Sequence, residues 1–370
     1  MSILSQFLIQ NMNITYVFVP KNNNLRHCSD SFFKALSESR QNSDKELAKI
    51  KFHFLSLFHP MKALYGLSVL MNSKKIELFI FSIEIHYLLL VGTLRIFRSI
   101  FQYELYVNYI MHEPRYNERE RTSQIKASLV YYYNLLFSRL SERIFVPSDE
   151  ALVRAKSFVD YNKLFRVNLT FISKPETELK KDVSELKKSW DDNRVFSWLG
   201  TGAKDRNPQG FVSFVEAIEI AEPEKAKFIR AGRDVGIDVV YKNSITWFPG
   251  YMTDTAKQFL FSVTHIVVVP YSFSTQSGVV TEALRYGKLL VLSDIPAFSH
   301  FKDLDFVFMV NFNSHTSISS CIDKIFQINS DRYEELFWEA VDYFNQYHSE
   351  FYLAKNLSLI SRPKQTKQKS

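Results

Sequence analysis

Short apolar runs alternate with amphipathic stretches along nearly the whole chain. The runs are rich in β-branched and aromatic residues, which favours buried strands, and the stretches between them carry apolar residues at helical spacing. In the first half we predict strands at residues 13–20, 50–57, 75–82, 104–111 and 143–146. Helices are predicted at residues 29–37, 62–71, 84–98 and 121–140. This alternation is typical of a parallel sheet with crossover helices.

The same alternation returns in the second half. Its predicted strands are residues 194–199, 225–231, 244–248, 265–270, 288–293 and 306–310. Its predicted helices are residues 211–220, 254–262, 278–286 and 331–359. We therefore expect an α/β protein with two Rossmann-like, doubly wound domains that face a cleft.

Residues 176–192 separate the two halves, because they are charged and have few apolar positions. We expect an N-terminal Rossmann-like domain over residues 1–175 and a linker over 176–192. A second Rossmann-like domain is expected over 193–330. Residues 331–370 are expected to form a helix that returns toward the N-terminal domain, followed by a basic tail.

Glycine is scarce and unevenly placed. Only 10 of the 370 residues are glycine, and eight of them lie from Gly200 to Gly287. Since glycine adopts positive φ and lets the backbone approach a ligand closely, a binding site is expected in that region. Charge is uneven as well: residues 1–174 hold 23 Lys/Arg and 14 Asp/Glu, a net charge of +9, against −2 for the rest. A basic first half favours an anionic partner.

Several classes of protein are disfavoured. The hydrophobic share of 46% excludes a disordered chain. No cationic segment precedes the first apolar run, so no signal peptide is expected. The most apolar stretch, residues 78–97, contains Glu84, His86 and Arg95, so no membrane-spanning helix is expected. Two isolated cysteines fit a reducing compartment, and we expect a cytoplasmic protein.

Residues 270–294 form the most informative motif. A buried strand is followed by a hydroxyl-rich loop with Ser274 and Ser277, then by Gly278 at a helix start and Glu282 one turn later. A helix N-terminus offers free N–H groups and the positive end of a dipole, which suits a phosphate. Glu282 is placed to accept hydrogen bonds from a ribose diol. An ordinary strand–turn–helix unit with a solvent-facing glutamate explains the same residues.

The stretch Gly-Val-Val-Thr-Glu-Ala at 278–283, with Gly287 and Ser293-Asp294, resembles the C-terminal domain of the retaining GT-B glycosyltransferases called GT4. The resemblance implies that Glu282 binds the ribose of a nucleotide-sugar donor. The family's other glutamate, eight residues earlier, is replaced here by Ser274. The residues expected to bind the donor are Gly200, Gly202, Ser274, Ser277, Gly278, Val279 and Glu282.

Two further segments resemble the same family. The loop after the strand at 194–199 supplies an arginine and a lysine to the donor diphosphate in that family. Gln209 stands here at the position of that lysine, so we expect Lys204 and Arg206 to supply the positive charge. Residues 107–114 resemble the strand whose histidine faces the donor sugar, which implies a catalytic role for His112. A hydrogen-bonded structural histidine remains the alternative for that position.

The resemblance implies a metal-independent hexosyltransferase that needs no cofactor and retains the anomeric configuration. The expected acceptor is a glycan or a lipid-diphosphate-linked glycan of bacterial surface polysaccharide synthesis. The basic half would then contact the inner membrane surface, and no nucleic acid is expected as a partner. A non-catalytic binding protein on a degenerate GT-B scaffold is an alternative, and a nucleic-acid-binding protein is another. Asp303-Leu304-Asp305 has the form of a metal-binding motif, but it lies in a polar turn and we expect no metal there.

Overall fold

The structure is a computed structural model that describes residues 13–18, 75–80, 85–112, 114, 124–237, 239–274 and 276–360. The described residues fall into two compact units. Unit 1 holds those up to Thr170 together with those from Glu350 onward, and unit 2 holds Phe171–Ser349. The strand predicted at 50–57 and the helices predicted at 29–37 and 62–71 lie outside the described residues.

Unit 1 is built on a parallel sheet whose strands occur in chain order across the sheet. The described strands are β1 (Asn13–Phe18), β2 (Lys75–Ile80), β3 (Glu104–Ile110), β4 (Arg143–Val146) and β5 (Leu164–Arg166). The helices between them are α1 (Ile85–Phe101), α2 (Gln124–Leu140) and α3 (Asp149–Ala155). β3 lies between β2 and β4 and is buried on both faces from Val107 to Ile110, as expected for a central parallel strand.

Unit 2 is built on a second parallel sheet. Its strands are β6 (Arg194–Leu199), β7 (Ala226–Gly232), β8 (Ile245–Pro249), β9 (Ile266–Val269), β10 (Leu289–Ser293) and β11 (Val307–Val310). Their order across the sheet is β11-β10-β9-β6-β7-β8. Successive strands are therefore added outward on one side from β6 through β7 to β8, and on the other side from β9 through β10 to β11. Ligands of open α/β sheets bind at this switch point, beyond the carboxyl ends of the strands.

Among the described residues, six α-helices belong to unit 2 and one more follows them in unit 1. They are α4 (Glu176–Trp190), α5 (Pro208–Ala221), α6 (Asp254–Val263), α7 (Gly278–Arg285), α8 (His315–Phe326), α9 (Ser330–Tyr347) and, in unit 1, α10 (Glu350–Ile360). The helix predicted at 331–359 is thus two helices, and α8 was not predicted. None of the helices among the described residues is both long enough and apolar enough to span a membrane.

The segment 176–192, expected as a linker, is largely helix α4 and belongs to unit 2. Its apolar residues recur at helical spacing and are all buried, namely Leu179, Val183, Leu186 and Trp190. Trp190 stacks on Tyr333 of α9, with ring centroids 4.1 Å apart. The opposite face of α4 is charged, so the average composition of the segment does not reveal this narrow apolar stripe. The predicted fold class, α/β with two Rossmann-like parallel sheets, is confirmed.

Candidate functional site

Two loops of unit 2 join at the switch point of its sheet. One follows β6 and contains a short 3-10 helix over Lys204–Arg206, and the other follows β9. The backbone carbonyl of Asp205 accepts hydrogen bonds from the N–H groups of Ser272 and Phe273, at 3.0 and 3.3 Å. It also accepts one from the Ser272 hydroxyl at 3.2 Å. The two segments chosen from sequence as donor loops are therefore bonded to each other.

The N-terminus of α7 lies beside the start of the first loop. Ser277 caps this helix, since its Oγ accepts a hydrogen bond from the Val280 N–H at 3.3 Å. Gly200 has φ +104°, and a Cβ atom built on it would lie 3.3 Å from Cγ2 of Val279. Gly278 and Val279 are both half-buried. The first turn of a helix presents N–H groups and positive potential, so this corner is suited to an anion.

Arg206 lies in the loop after β6 and packs on a residue of the loop after β9. Its guanidinium carbon lies 4.0 Å from the centre of the Tyr271 ring, in the loop after β9. Its Nε is 3.7 Å from a carboxylate oxygen of Asp205, and its Nη1 is buried with no hydrogen-bond partner among the described residues. Lys204, two residues earlier, is exposed. A buried guanidinium N–H without a partner has spare donor capacity for an anionic ligand.

Glu282 lies one helical turn after Gly278. Residues four apart on a helix share a face, so its carboxylate belongs to the side of α7 that begins at Gly278. The side chain of Glu282 is 16% exposed, and Oε2 is 3.8 Å from Nζ of Lys257 on α6. An ionised carboxylate accepts hydrogen bonds from two hydroxyl groups at once. Glu282 is thus partly buried beside Lys257, and its binding of a diol stays a prediction.

Two of the predicted donor-binding residues, Ser274 and Gly202, have contacts within the protein that explain why these residue types occur at their positions. Ser274 is buried and donates a hydrogen bond from its Oγ to the carbonyl of Gln276 at 2.7 Å. Gly202 is buried as well, and a Cβ built on it would lie 1.9 Å from Oδ1 of Asp234. The space beside Gly202 is therefore taken by a side chain of unit 2.

His112 lies in unit 1, two residues after the end of β3. The preceding residue, Met111, is held to β4 by a hydrogen bond from its N–H to the carbonyl of Phe145 at 2.8 Å. His112 itself is half-buried, and desolvation lowers its pKa to about 4. The imidazole is consequently neutral at neutral pH and is able to donate one hydrogen bond and accept another.

Arg230 was missed by the sequence analysis. It lies on β7 with its side chain fully buried, and its Nη2 is 2.6 Å from Oδ1 of Asp234. Its Nη1 donates to the carbonyl of Gly200 at 2.9 Å, which links it to the loop after β6. The available signal was a charged residue inside an apolar strand, with an acid four positions later. That signal is weak because an edge strand has the same pattern.

No group of three or more His, Cys, Asp or Glu side chains is placed to hold a metal ion within the part of the chain that the structure describes. In the Asp303-Leu304-Asp305 turn, the carboxylate of Asp305 pairs with Arg332 at 2.8 Å. That contact gives the second aspartate of the motif a structural role.

No protein-family model and no curated protein matches the sequence. Solved structures do match the fold. HepE of Anabaena, in complex with UDP and glucose, is 11% identical with a TM-score of 0.60, over 95% of this chain and 100% of that one. Sucrose-phosphate synthase of Thermosynechococcus elongatus is 11% identical with a TM-score of 0.61, over 94% and 98%. WaaG, a glycosyltransferase involved in lipopolysaccharide biosynthesis, is 10% identical with a TM-score of 0.55, over 94% and 99%.

These similarities extend over nearly the full length of both chains. The protein therefore has the GT-B fold of the glycosyltransferases to which it is similar. The identities are low, so the comparison shows the fold and leaves the GT4 assignment a prediction.

Proposed function

We propose that this protein is a GT-B glycosyltransferase of the GT4 type that transfers a hexose from a nucleotide-sugar donor with retention. The observation that carries the proposal is the junction of the two loops at the switch point. There, Arg206 with its spare donor lies in the loop bonded to the one that leads into α7. Structures with the same fold include HepE in complex with UDP-glucose.

In the proposed reaction an acceptor hydroxyl forms a bond to the anomeric carbon of the sugar while the bond from that carbon to the diphosphate breaks. The hydroxyl proton passes to the leaving diphosphate, on which negative charge gathers. Arg206, Lys204 and the N–H groups at the start of α7 would stabilise that charge without a metal or a cofactor. Glu282 would hold the ribose hydroxyls. His112, which the GT4 resemblance assigns to the donor sugar, is neutral at neutral pH and would therefore act through hydrogen bonds rather than charge.

The proposed acceptor is a glycan or a lipid-diphosphate-linked glycan at the inner face of the membrane. Support comes from the net charge of +9 over residues 1–174 and from the surface of unit 1. Helices α1 and α2 contact each other and contain no acidic residue. Four exposed apolar residues follow one stripe of α2, namely Ile125, Leu129, Tyr132 and Leu136. An apolar stripe on a basic domain fits an anionic membrane surface. Such an acceptor places the enzyme in surface polysaccharide synthesis, and WaaG acts in lipopolysaccharide biosynthesis.

One observation favours a non-catalytic binding protein instead. Ser274 replaces the glutamate that the GT4 resemblance assigns to the donor sugar, and its hydroxyl is already bonded to Gln276. A site that binds the nucleotide but lacks this sugar contact would bind a donor without transferring its sugar.

The test is a thermal-shift screen of UDP-, GDP- and CMP-sugars, followed by measurement of donor hydrolysis and of transfer with each sugar that binds. Binding with turnover supports the enzyme, and binding without turnover supports the alternative. If no nucleotide sugar raises the melting temperature, both proposals fail.

A further inference from the structure

We propose that Arg230, Asp234 and Tyr241 form a brace that fixes the loop after β6 in the conformation that receives the ligand. These are positioning residues, since none of them is assigned a contact with the donor. The inference rests on the proposed function for the ligand, but the brace itself is a property of the protein. We call these three residues the Arg230 brace.

The guanidinium of Arg230 bonds both to the loop and to the acid that neutralises it. Nη1 donates to the carbonyl of Gly200 at 2.9 Å and to that of Ala231 at 2.6 Å. Nη2 donates to Oδ1 of Asp234 at 2.6 Å, and Nε donates to the hydroxyl of Tyr241 at 3.2 Å. Three sides of one fully buried cation are thus occupied by protein acceptors.

Tyr241 closes the network. Its hydroxyl donates to Oδ2 of Asp234 at 2.9 Å while it accepts from Arg230. Both carboxylate oxygens of Asp234 are therefore bonded, one to the arginine and one to the tyrosine. Hydrogen bonds from two different residues fix the orientation of the Asp234 carboxylate as well as its distance from Arg230.

The backbone of the loop is paired with the same segment. The Gly202 N–H donates to the carbonyl of Arg233 at 2.9 Å, and the Val235 N–H donates to the carbonyl of Gly202 at 2.9 Å. Glycine is required on both sides of this junction. A Cβ on Gly202 would lie 1.9 Å from Oδ1 of Asp234, and one on Gly232, with φ +133°, would lie 1.9 Å from the Gly200 carbonyl oxygen.

A buried ion pair is an expensive way to stabilise a fold, because both charges lose their hydration. Its stronger effect is to select one conformation, since every alternative leaves a charge buried without a partner. Arg230 also lies over the Trp198 ring at 4.0 Å, so β6, β7 and the loop are held by one side chain. The brace therefore preorganises the loop that carries Lys204 and Arg206, and preorganisation raises ligand affinity.

The test uses Tyr241→Phe, which removes two hydrogen bonds and keeps the ring, and Asp234→Asn, which removes the charge. Arg230→Met is the direct variant, but it is the one most prone to misfold. Lys242→Gln is the matched control, because Lys242 follows Tyr241 and pairs with Glu219 at 2.8 Å, away from the loop. Amide hydrogen exchange of residues 200–206 is measured by mass spectrometry, together with the Kd of UDP-glucose and the donor KM and kcat.

We expect Tyr241→Phe to raise the exchange rate of the loop roughly tenfold, as for the loss of one or two hydrogen bonds, with other peptides of unit 2 unchanged. Donor Kd and KM should rise by a similar factor while kcat changes less, and Lys242→Gln should change none of these. Unchanged loop exchange in both folded variants would overturn the brace. If wild type binds no nucleotide sugar, the proposed function fails, and the exchange data still decide for or against the brace.

Discussion

The guanidinium carbon of Arg206 lies 4.0 Å from the centre of the Tyr271 ring. One residue belongs to the loop after β6 and the other to the loop after β9, the two strands on either side of the switch point. A guanidinium over the face of an aromatic ring is attracted by the ring quadrupole, so Tyr271 helps to fix the position of Arg206. Four predictions about unit 2 and one about unit 1 follow from such contacts.

Replacing Arg206 with glutamine should weaken the binding of UDP-glucose by roughly 10- to 100-fold, the effect of losing a hydrogen bond to a charged group. Arg206→Lys should restore part of the affinity, because it keeps the charge and loses the fork of donors. Isothermal titration calorimetry measures both. Lys225→Gln, an exposed cation elsewhere in unit 2, is the control. Equal affinity of wild type and Arg206→Gln would remove Arg206 from the site.

Glu282→Gln should reduce UDP-glucose affinity about tenfold or more, since an amide is a weaker acceptor for a ribose diol than a carboxylate. Thermal stability should change little, because a partly exposed ion pair separated by 3.8 Å contributes less than about 1 kcal/mol. Lys257→Gln breaks the same pair and leaves the carboxylate in place. Should Lys257→Gln weaken binding as much as Glu282→Gln does, the effect would come from the ion pair and not from contact with the ribose.

Gly202→Ala should destabilise the protein by about 3 kcal/mol or more, because the new methyl group must displace Asp234 from Arg230. Gly236→Ala is the matched comparison: its φ is +63° but a Cβ there meets no atom within 4 Å. Gly236→Ala should lower the free energy of unfolding by only about 1 to 2 kcal/mol, because alanine is disfavoured in the left-handed backbone conformation. Urea unfolding gives both values. If the two variants lost the same free energy of unfolding, Asp234 would have to move away from the new methyl group with little loss of stability.

Lys288→Met should stabilise the protein at pH 7. Lys288 is fully buried and has no hydrogen-bond partner among the described residues. Desolvation lowers its pKa to about 7, with Asp182 raising it and Lys174 lowering it. In the unfolded chain the ammonium keeps its proton up to its ordinary pKa near 10.5, so the unfolded state binds more protons between pH 7 and pH 10.

The free energy of unfolding of wild type should therefore rise with pH across that window relative to Lys288→Met, by at most about 1.4 kcal/mol per pH unit. Below pH 7 the free energy of unfolding of Lys288→Met should exceed that of wild type by its largest amount, and this difference should no longer change with pH. Urea unfolding of both proteins from pH 6 to pH 9 measures it, with exposed Lys302→Met as the control. A difference that does not vary with pH would mean that Lys288 is protonated in the folded protein throughout.

Leu129→Glu on α2 should weaken binding to vesicles containing phosphatidylglycerol roughly tenfold, because it replaces an inserted apolar side chain with a charge that the anionic surface repels. Leu129 is 51% exposed, so the fold should tolerate the change. Val153→Glu on α3, another exposed apolar position of unit 1, is the control. Vesicle cosedimentation with and without the anionic lipid gives the result. If neither vesicle binds wild type, the membrane contact is wrong.

The alternation of strands and helices was predictable because it depends on the spacing of apolar residues within short segments of the sequence. The strands at Arg194–Leu199 and Arg143–Val146 were predicted with their observed bounds, and the other predicted strands among the described residues differ by one or two residues at most ends. The short strand β5 (Leu164–Arg166) was not predicted. Helix α4 was read as a linker because its buried stripe is narrow and its charge is high. Such a helix depends on the face it packs against, and composition does not reveal that face.

For the candidate site, the sequence by itself determined that a helix begins at Gly278 with Glu282 one turn in, since the glycine and the spacing are local signals. Only the tertiary structure decided that Arg206 stacks on Tyr271, that Gly202 faces Asp234 and that Arg230 holds the carbonyl of Gly200. These pairs are brought together by the strand order, which places β6 between β9 and β7. Local periodicity fixes which segments are strands, but the packing of the whole sheet fixes which loops meet.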